Sequence, residues 1–284
     1  KEKRVGEIIV YDYLMLLVLL LVGVGVSVIS IPMVKYMLES CGLIRKNYRG
    51  EMIPVGMGIA FIPALMVNSA ILTYFNIEHD RLLLIFVLLF AVMAMAFAGI
   101  MDDAIGNRDV TGLKGHFLSM FKGRLTTGGF KAVLGGFIGI VVSAAVADNI
   151  LGVVVGTLVV ALATNFMNLL DLRPGRAIKV YLIISILVLI FAGDFNRQLY
   201  MLLLPGVVSY FIFDLKALSM MGDAGSNVLG VFIGVMIVIS FSIQVQLVCL
   251  VGLIAIHVLT EKYSLTKLIE QNSVLNFIDK LGRN

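Results

Sequence analysis

Two strongly apolar runs are joined by the sequence Leu218-Ser-Met-Met-Gly-Asp-Ala-Gly-Ser-Asn-Val-Leu-Gly230. It holds one carboxylate, Asp223, between Gly222 and Gly225, and glycine lets a backbone approach a ligand closely. Ser226 can cap the following helix, whose first N–H groups favour anions. A polar turn between two helices explains this sequence equally well. The other loops therefore have to decide between a turn and a ligand site.

The composition predicts an all-α, polytopic membrane helix bundle. The 284 residues are 60% hydrophobic and 14% charged, whereas soluble domains are about half apolar and about a quarter charged. Nine apolar segments approach the ~20 residues that a membrane-spanning helix needs. They cover residues 11–37, 55–75, 82–101, 130–147, 150–169, 177–193, 198–214, 227–243 and 245–261. One transmembrane domain over residues 1–261 and a polar tail over residues 262–284 are expected.

Basic residues predict the orientation of the chain. Loops after odd-numbered segments hold 17 of the 22 Lys and Arg residues, and basic loops remain cytoplasmic. Cell-membrane localisation, a cytoplasmic tail and cytoplasmic loops at 38–54, 102–129, 170–176 and 215–226 are therefore expected. The net charge of +4 reflects this topology and contact with anionic lipid, so no nucleic acid partner is implied.

The third segment ends in two adjacent carboxylates, Asp102 and Asp103. An acid at the end of an apolar helix is costly to bury and is by default a functional candidate, although a solvated helix end is the simpler alternative. Helix neighbours point about 100° apart, so one carboxylate can face a site while the other faces another helix.

Further polar residues follow the fifth segment. Asn165, Asn168 and Asp171 are spaced i, i+3, i+6 and lie along one side of the helix end, before the helix-breaking sequence Arg173-Pro-Gly-Arg176. Such a polar side is hard to reconcile with contact to lipid.

Phosphate-binding candidates lie in two basic loops. Lys131 begins the fourth segment and can reach a phosphate or snorkel to lipid headgroups; Lys114 and His116 precede it. In the first loop, Pro54 before a glycine pair indicates a helix-entry turn or a bend against a phosphate. Acids for a hard cation beside cations for phosphate predict a magnesium–diphosphate site. A transporter is disfavoured because the segment interiors carry almost no charge.

Three stretches in order resemble the motifs of the polyprenyl-phosphate N-acetylhexosamine-1-phosphate transferases. They are Gly99-Ile-Met-Asp-Asp103, Asn165-Phe-Met-Asn-Leu-Leu-Asp171 and Met221-Gly-Asp-Ala-Gly-Ser226. The resemblance covers roughly residues 45–230. It implies transfer of a sugar-1-phosphate from a UDP-sugar to a polyprenyl phosphate with release of UMP, in cell-envelope glycan synthesis.

The resemblance also implies roles for individual residues. Asp223, with Asp171, would bind Mg²⁺, and Asp102 would act as base on the lipid phosphate, with Asp103 supporting the site. The remaining candidates would bind substrate: Asn165, Asn168, Asp171, Lys131, Arg173, Arg176, Gly222 and Ser226. The oligomeric state, a homodimer included, stays open.

Two departures from the family pattern concern the donor substrate. The family usually has a second acid where this chain has Pro174, and an aromatic residue where this chain has Met220 and Met221. The lost second acid motivates an alternative, a family member that binds lipid phosphate or nucleotide without turnover.

Overall fold

The structure is a computed structural model that describes residues 2–76, 78–106, 119–120 and 122–283. Helices dominate it, and a hairpin of two short strands pairs Arg45 with Ile53 in antiparallel register. The elements in chain order are α1 (Glu2–Ser40), β1 (Ile44–Lys46), β2 (Met52–Pro54), a 3-10 helix (Met57–Phe61), α2 (Ile62–Phe75), α3 (His79–Ile105), α4 (Thr127–Val146), α5 (Ile150–Leu170), α6 (Arg176–Phe191), α7 (Asp194–Tyr200), α8 (Leu204–Leu215), α9 (Gly222–Ser240), α10 (Ile243–Lys262), α11 (Leu265–Gln271) and α12 (Ser273–Lys280).

The predicted all-α, multi-pass membrane architecture is confirmed. Each of the nine apolar segments is helical, and within the described residues eight helical stretches are long and apolar enough to cross a membrane. The sixth segment forms α6, which has only 16 residues and spans about 24 Å at 1.5 Å per residue. The seventh is divided into α7 and α8 by a turn at residues 201–203.

Helix α9 lies at the centre of the bundle. In the 18-residue apolar stretch of α9, 78% of the residues are buried, whereas the corresponding share for the neighbouring α10 is 11%. It packs mainly against α3 and α5, and its first turns also contact the 3-10 helix. The segment around Asp223 therefore begins the most enclosed helix of the protein.

Glycines allow the backbones around α9 to touch. A Cβ atom on Gly234 would lie 2.7 Å from the Cα atom of Val160 in α5, and one on Gly230 would overlap Thr164 of the same helix. At the start of α9, Gly99 of α3 lies against the backbone of Asp223 and Ala224. Small residues at membrane helix interfaces permit this close approach. The Gly230/Gly234 pair therefore serves helix packing.

Backbone hydrogen bonds join the β hairpin to the segment before α9. The Met220 amide donates to the Pro54 carbonyl (2.8 Å), and the amides of Met57 and Gly58 donate to the carbonyls of Met220 (3.1 Å) and Met221 (2.9 Å). The first loop and the loop before α9, distant in sequence, therefore form one continuous surface at this end of the bundle.

Replacing Gly99 with Ala is expected to separate α3 from α9, because the new methyl group meets backbone atoms that cannot rotate away. Overpacking of this kind costs about 1–3 kcal/mol. Helix melting followed by circular dichroism in detergent measures it. Gly136→Ala is the matched control: no atom lies within 4 Å of its Cβ position, and helix propensity favours Ala by about 1 kcal/mol. Equal melting temperatures for the two variants would contradict the packing account.

Candidate functional site

The candidate site is a cavity at the end of the bundle where α3, α5 and α8 end and α9 begins. Its volume is about 300 Å³. Four carboxylates line it together with three basic side chains and one aromatic ring: Asp103, Asp171, Asp214, Asp223, Arg45, Lys46, Arg173 and Tyr48. Acids and bases from five separate parts of the sequence therefore meet at one cavity.

Asp103 caps the N-terminus of α9. Its carboxylate accepts hydrogen bonds from the backbone amides of Asp223 (3.0 Å) and Ala224 (2.9 Å), and its side chain is buried. The first amides of a helix lack intrahelical partners, and negative charge is favoured there. The structure therefore gives Asp103 the supporting position that the resemblance implied, through bonds to the backbone that carries Asp223.

Position 222 requires glycine both because of this contact and because of its backbone conformation. Its φ of +70° lies in the left-handed region, where a side chain is strained. A Cβ atom there would also lie 2.5 Å from Asp103 Oδ2. Gly222 thus lets the chain turn into α9 directly over the capping carboxylate, and it also lines the cavity.

Lys131 lies between Asp102 of the α3 motif and Asp223 of the α9 motif. Its ammonium group forms an ion pair with Asp223 Oδ2 and a second, 3.3 Å long, with Asp102 Oδ2. All three side chains are partly exposed. A lysine held between two carboxylates at a solvent-accessible site places positive charge where a phosphate can displace one of its partners.

Asp171 faces the cavity just beyond the last turn of α5. Among the described residues its carboxylate has no hydrogen-bond partner. Burial, and then the negative charges of Asp214, Asp223 and Asp103, raise the pKa of Asp171 well above its ordinary value. The carboxylates around Asp171 therefore add to the effect of burial in favouring its protonated form. No group of three His, Cys, Asp or Glu side chains suited to a metal occurs in the described part of the chain.

Of the other polar residues in this pattern, Asn168 contacts α9. Ser226 is fully buried, and its hydroxyl donates to Asn168 Oδ1 (3.3 Å). Asn165 is partly buried one turn earlier. Neither these residues nor Ser226 line the cavity wall. The i, i+3, i+6 pattern thus marks a helix contact as much as a ligand surface.

Arg176 was expected to bind substrate, but the structure directs it away from the cavity. Its guanidinium is 3% exposed and forms two hydrogen bonds with the Asp279 carboxylate, at 2.8 and 3.0 Å. Arg283 also pairs with Asp279 and donates to the Pro174 carbonyl (3.2 Å). The pattern Arg173-Pro-Gly-Arg176 therefore docks the C-terminal tail, and of its two arginines only Arg173 lines the cavity.

Four of these cavity residues, Arg45, Lys46, Tyr48 and Asp214, were not singled out by the sequence. Arg45 donates to the Asp103 carbonyl (2.6 Å), so the hairpin is tied to the end of α3. Asp214 is buried and accepts from the Gly175 amide (2.7 Å). The sequence could have indicated Asp214, because it is a lone carboxylate within the apolar run before Leu215. Tyr48 carried no such signal. Lys114 and His116 lie outside the described residues.

Asp279→Ala is expected to cost about 3–5 kcal/mol, because it leaves Arg176 buried without its partner. Burial alone would raise the pKa of Asp279, but hydrogen bonds from Arg176 and Arg283 lower it overall. Its stabilising effect is therefore present above the unfolded-state pKa and is lost as the pH falls through the folded-state value. Thermal melting at neutral and acidic pH measures both effects.

The control for this variant is Asp194→Ala, which breaks an ion pair whose carboxylate is 65% exposed and should cost about 0–1 kcal/mol. A loss at Asp279 no larger than at Asp194 would show that the tail is not held by this pair.

The comparisons with known proteins agree with the motif resemblance. The family model described as "Glycosyl transferase family 4" matches residues 85–241, more than half of the chain. This range contains Asp102, Lys131, Asp171 and Asp223, and it ends at the close of α9. No curated protein matches the chain. The chain therefore belongs to glycosyl transferase family 4 and is a glycosyl-phosphate transferase of the membrane.

Proposed function

We propose that the protein transfers a sugar-1-phosphate from a nucleotide sugar, with UDP as the carrier, to a polyprenyl phosphate in cell-envelope glycan synthesis. The observation that carries this proposal is Lys131, held between Asp102 and Asp223 beside the acidic cavity. A phosphoryl-transfer site needs positioned cations for phosphate oxygens together with acids that bind a metal or accept a proton. The proposal places this chemistry at the cytoplasmic membrane face, which the basic loops support.

The residues present fit a Mg²⁺ ion held by Asp171 and Asp223. Mg²⁺ binds typically through one or two carboxylates, with water and substrate phosphates filling its other positions, so a third protein acid is unnecessary. Burial and the neighbouring carboxylates raise the pKa of Asp171, and a bound cation would oppose both effects by favouring the ionised carboxylate. When bound, the ion would neutralise the diphosphate of the donor.

The reaction follows from this arrangement. An oxygen of the lipid phosphate attacks the phosphorus next to the sugar, and the bond from that phosphorus to the bridging oxygen breaks, so that UMP leaves. Asp102 accepts the proton of the lipid phosphate where it is protonated, and Lys131 and Arg173 bind phosphate oxygens. Positioning and charge neutralisation, rather than covalent chemistry, supply the rate enhancement.

The alternative of binding without turnover is motivated by Pro174. This residue lines the cavity at the place where the family usually carries a second acid, so one proton acceptor or metal contact is missing. In that case the site would hold lipid phosphate or nucleotide while releasing no UMP.

The proposal predicts that purified protein releases a nucleotide monophosphate from at least one nucleotide sugar when undecaprenyl phosphate and Mg²⁺ are present, and that chelation stops the reaction. Lys131→Met and Asp223→Asn are expected to lower kcat about 100-fold or more, because the first removes a cation that binds phosphate and the second a carboxylate that would hold Mg²⁺. Release of UMP, CMP or other monophosphates across a panel of donors is the measurement.

Glu78→Gln is the control, since this exposed acid lies in the loop before α3, at the other end of that helix from Asp102. Nucleotide binding without release by any donor, under conditions in which a known transferase is active, would contradict turnover and support the binding alternative.

A further inference from the structure

Helix α12 in the C-terminal tail is docked through its charged side and turns its apolar side outward. Val274, Phe277 and Leu281 are 64%, 67% and 57% exposed, whereas Asp279 is 6% exposed. With Ile278, these apolar residues follow the i, i+3, i+4, i+7 spacing of a single helix face. A soluble surface rarely leaves such a continuous apolar face uncovered.

The depth of α12 in the bundle places this face near the membrane boundary. Lys179, in the first turn of α6, donates to the carbonyls of Ile278 (3.0 Å) and Asp279 (2.7 Å). Farther along α6, Ile183 and Ile186 are 50% and 58% exposed, as expected of side chains that contact lipid. The apolar face of α12 therefore lies beside the point at which α6 enters the apolar layer.

The chain connection keeps the tail at the same depth. Helix α10, most of whose surface is unburied, ends at Lys262, and α11 begins at Leu265. The tail starts two residues after a spanning helix, and its second helix is bonded to the first turn of another apolar helix. The tail therefore lies along the end of the bundle. It does not extend into solvent.

The charges around α12 favour a lipid surface. The exposed charged residues in or just before the tail are Lys262, Lys267 and Lys280 and the acids Glu261 and Glu270, while the Asp279 carboxylate is turned inward and paired with arginines. Exposed basic residues therefore outnumber exposed acids. Basic residues beside an apolar helix face are typical of helices that lie in the headgroup region, where anionic lipids attract them.

We propose that α12 lies in the headgroup region of a bilayer containing anionic lipid, with Val274, Phe277, Ile278 and Leu281 in the acyl boundary. Through Asp279 and Arg283 the same helix holds Arg176 and Pro174, so the tail connects the lipid surface to the cavity wall. This inference goes beyond the proposed function and does not depend on it.

The test uses tryptophan fluorescence, because the chain contains no tryptophan. Phe277→Trp introduces a single fluorophore on the exposed apolar face, and Lys280→Trp introduces one about 110° from the centre of that face at 100° per residue. Each full-length variant is placed in nanodiscs whose phospholipids carry bromine either near the headgroup end or near the methyl end of the acyl chain. Phe90→Trp, 44% exposed midway along α3, reports contact with deep lipid.

Phe277→Trp is expected to lose more fluorescence than Lys280→Trp. Bromine near the headgroup should quench it most, because such helices insert only about 5–10 Å into the boundary. Phe90→Trp should show the reverse depth preference. Raising the share of anionic lipid should increase quenching at Phe277→Trp, and high salt should reduce this increase.

Equal quenching of Phe277→Trp and Lys280→Trp would overturn the inference. So would a blue-shifted emission of Phe277→Trp that brominated lipid leaves unchanged, since a second copy of the chain or another protein would then cover the face. These readouts involve no nucleotide sugar, so they are independent of transferase activity.

Discussion

The bonds from the Asp103 carboxylate to the first amides of α9 hold the candidate site together. Asp103 ends one long helix and Asp223 begins another, and 120 residues of chain separate them. The cap joins these helices through two charge-assisted hydrogen bonds, each worth about 1.5–3 kcal/mol. Because Asp102 precedes the capping residue and Asp223 supplies one of the capped amides, the same contact brings both acids to Lys131.

The close backbone contacts around α9 explain why this cap is possible. Gly58 and Gly99 let the 3-10 helix and α3 touch the first turn of α9, and Gly222 lets the chain turn over the carboxylate. Larger side chains at these positions would separate the helices and lengthen the hydrogen bonds. The glycines beside Asp223 are therefore explained by contact between protein elements, in addition to any approach of a ligand.

The segment Arg173-Pro-Gly-Arg176 shows how a departure from a family pattern can have a structural cause. Pro174 offers its carbonyl to Arg283, the Gly175 amide is bound by Asp214, and Arg176 is paired with Asp279. Each residue after Arg173 is thus engaged by another part of the protein. The positive charge of Arg176 serves tail docking, and of the two arginines only Arg173 lines the cavity.

Composition and segment length were sufficient to predict the helical bundle, because apolar runs of this length have few other stable forms. The acids Asp102, Asp171 and Asp223 could also be predicted, since isolated charges at the ends of apolar helices are costly. The sequence could not show that Asp103 caps α9 or that Arg176 pairs with Asp279. Both depend on which side chains meet across more than 100 residues of chain, and short-range patterns carry no information about that distance.

The central claim is that Asp103, and not Asp102, fixes the start of α9, and amide hydrogen exchange of the segment 219–226 tests it most directly. Asp103→Ala should accelerate exchange at the amides of Asp223 and Ala224, because they lose their acceptor, whereas Asp102→Ala should leave both amides protected. Unchanged protection in Asp103→Ala, or equal loss in both variants, would contradict the account.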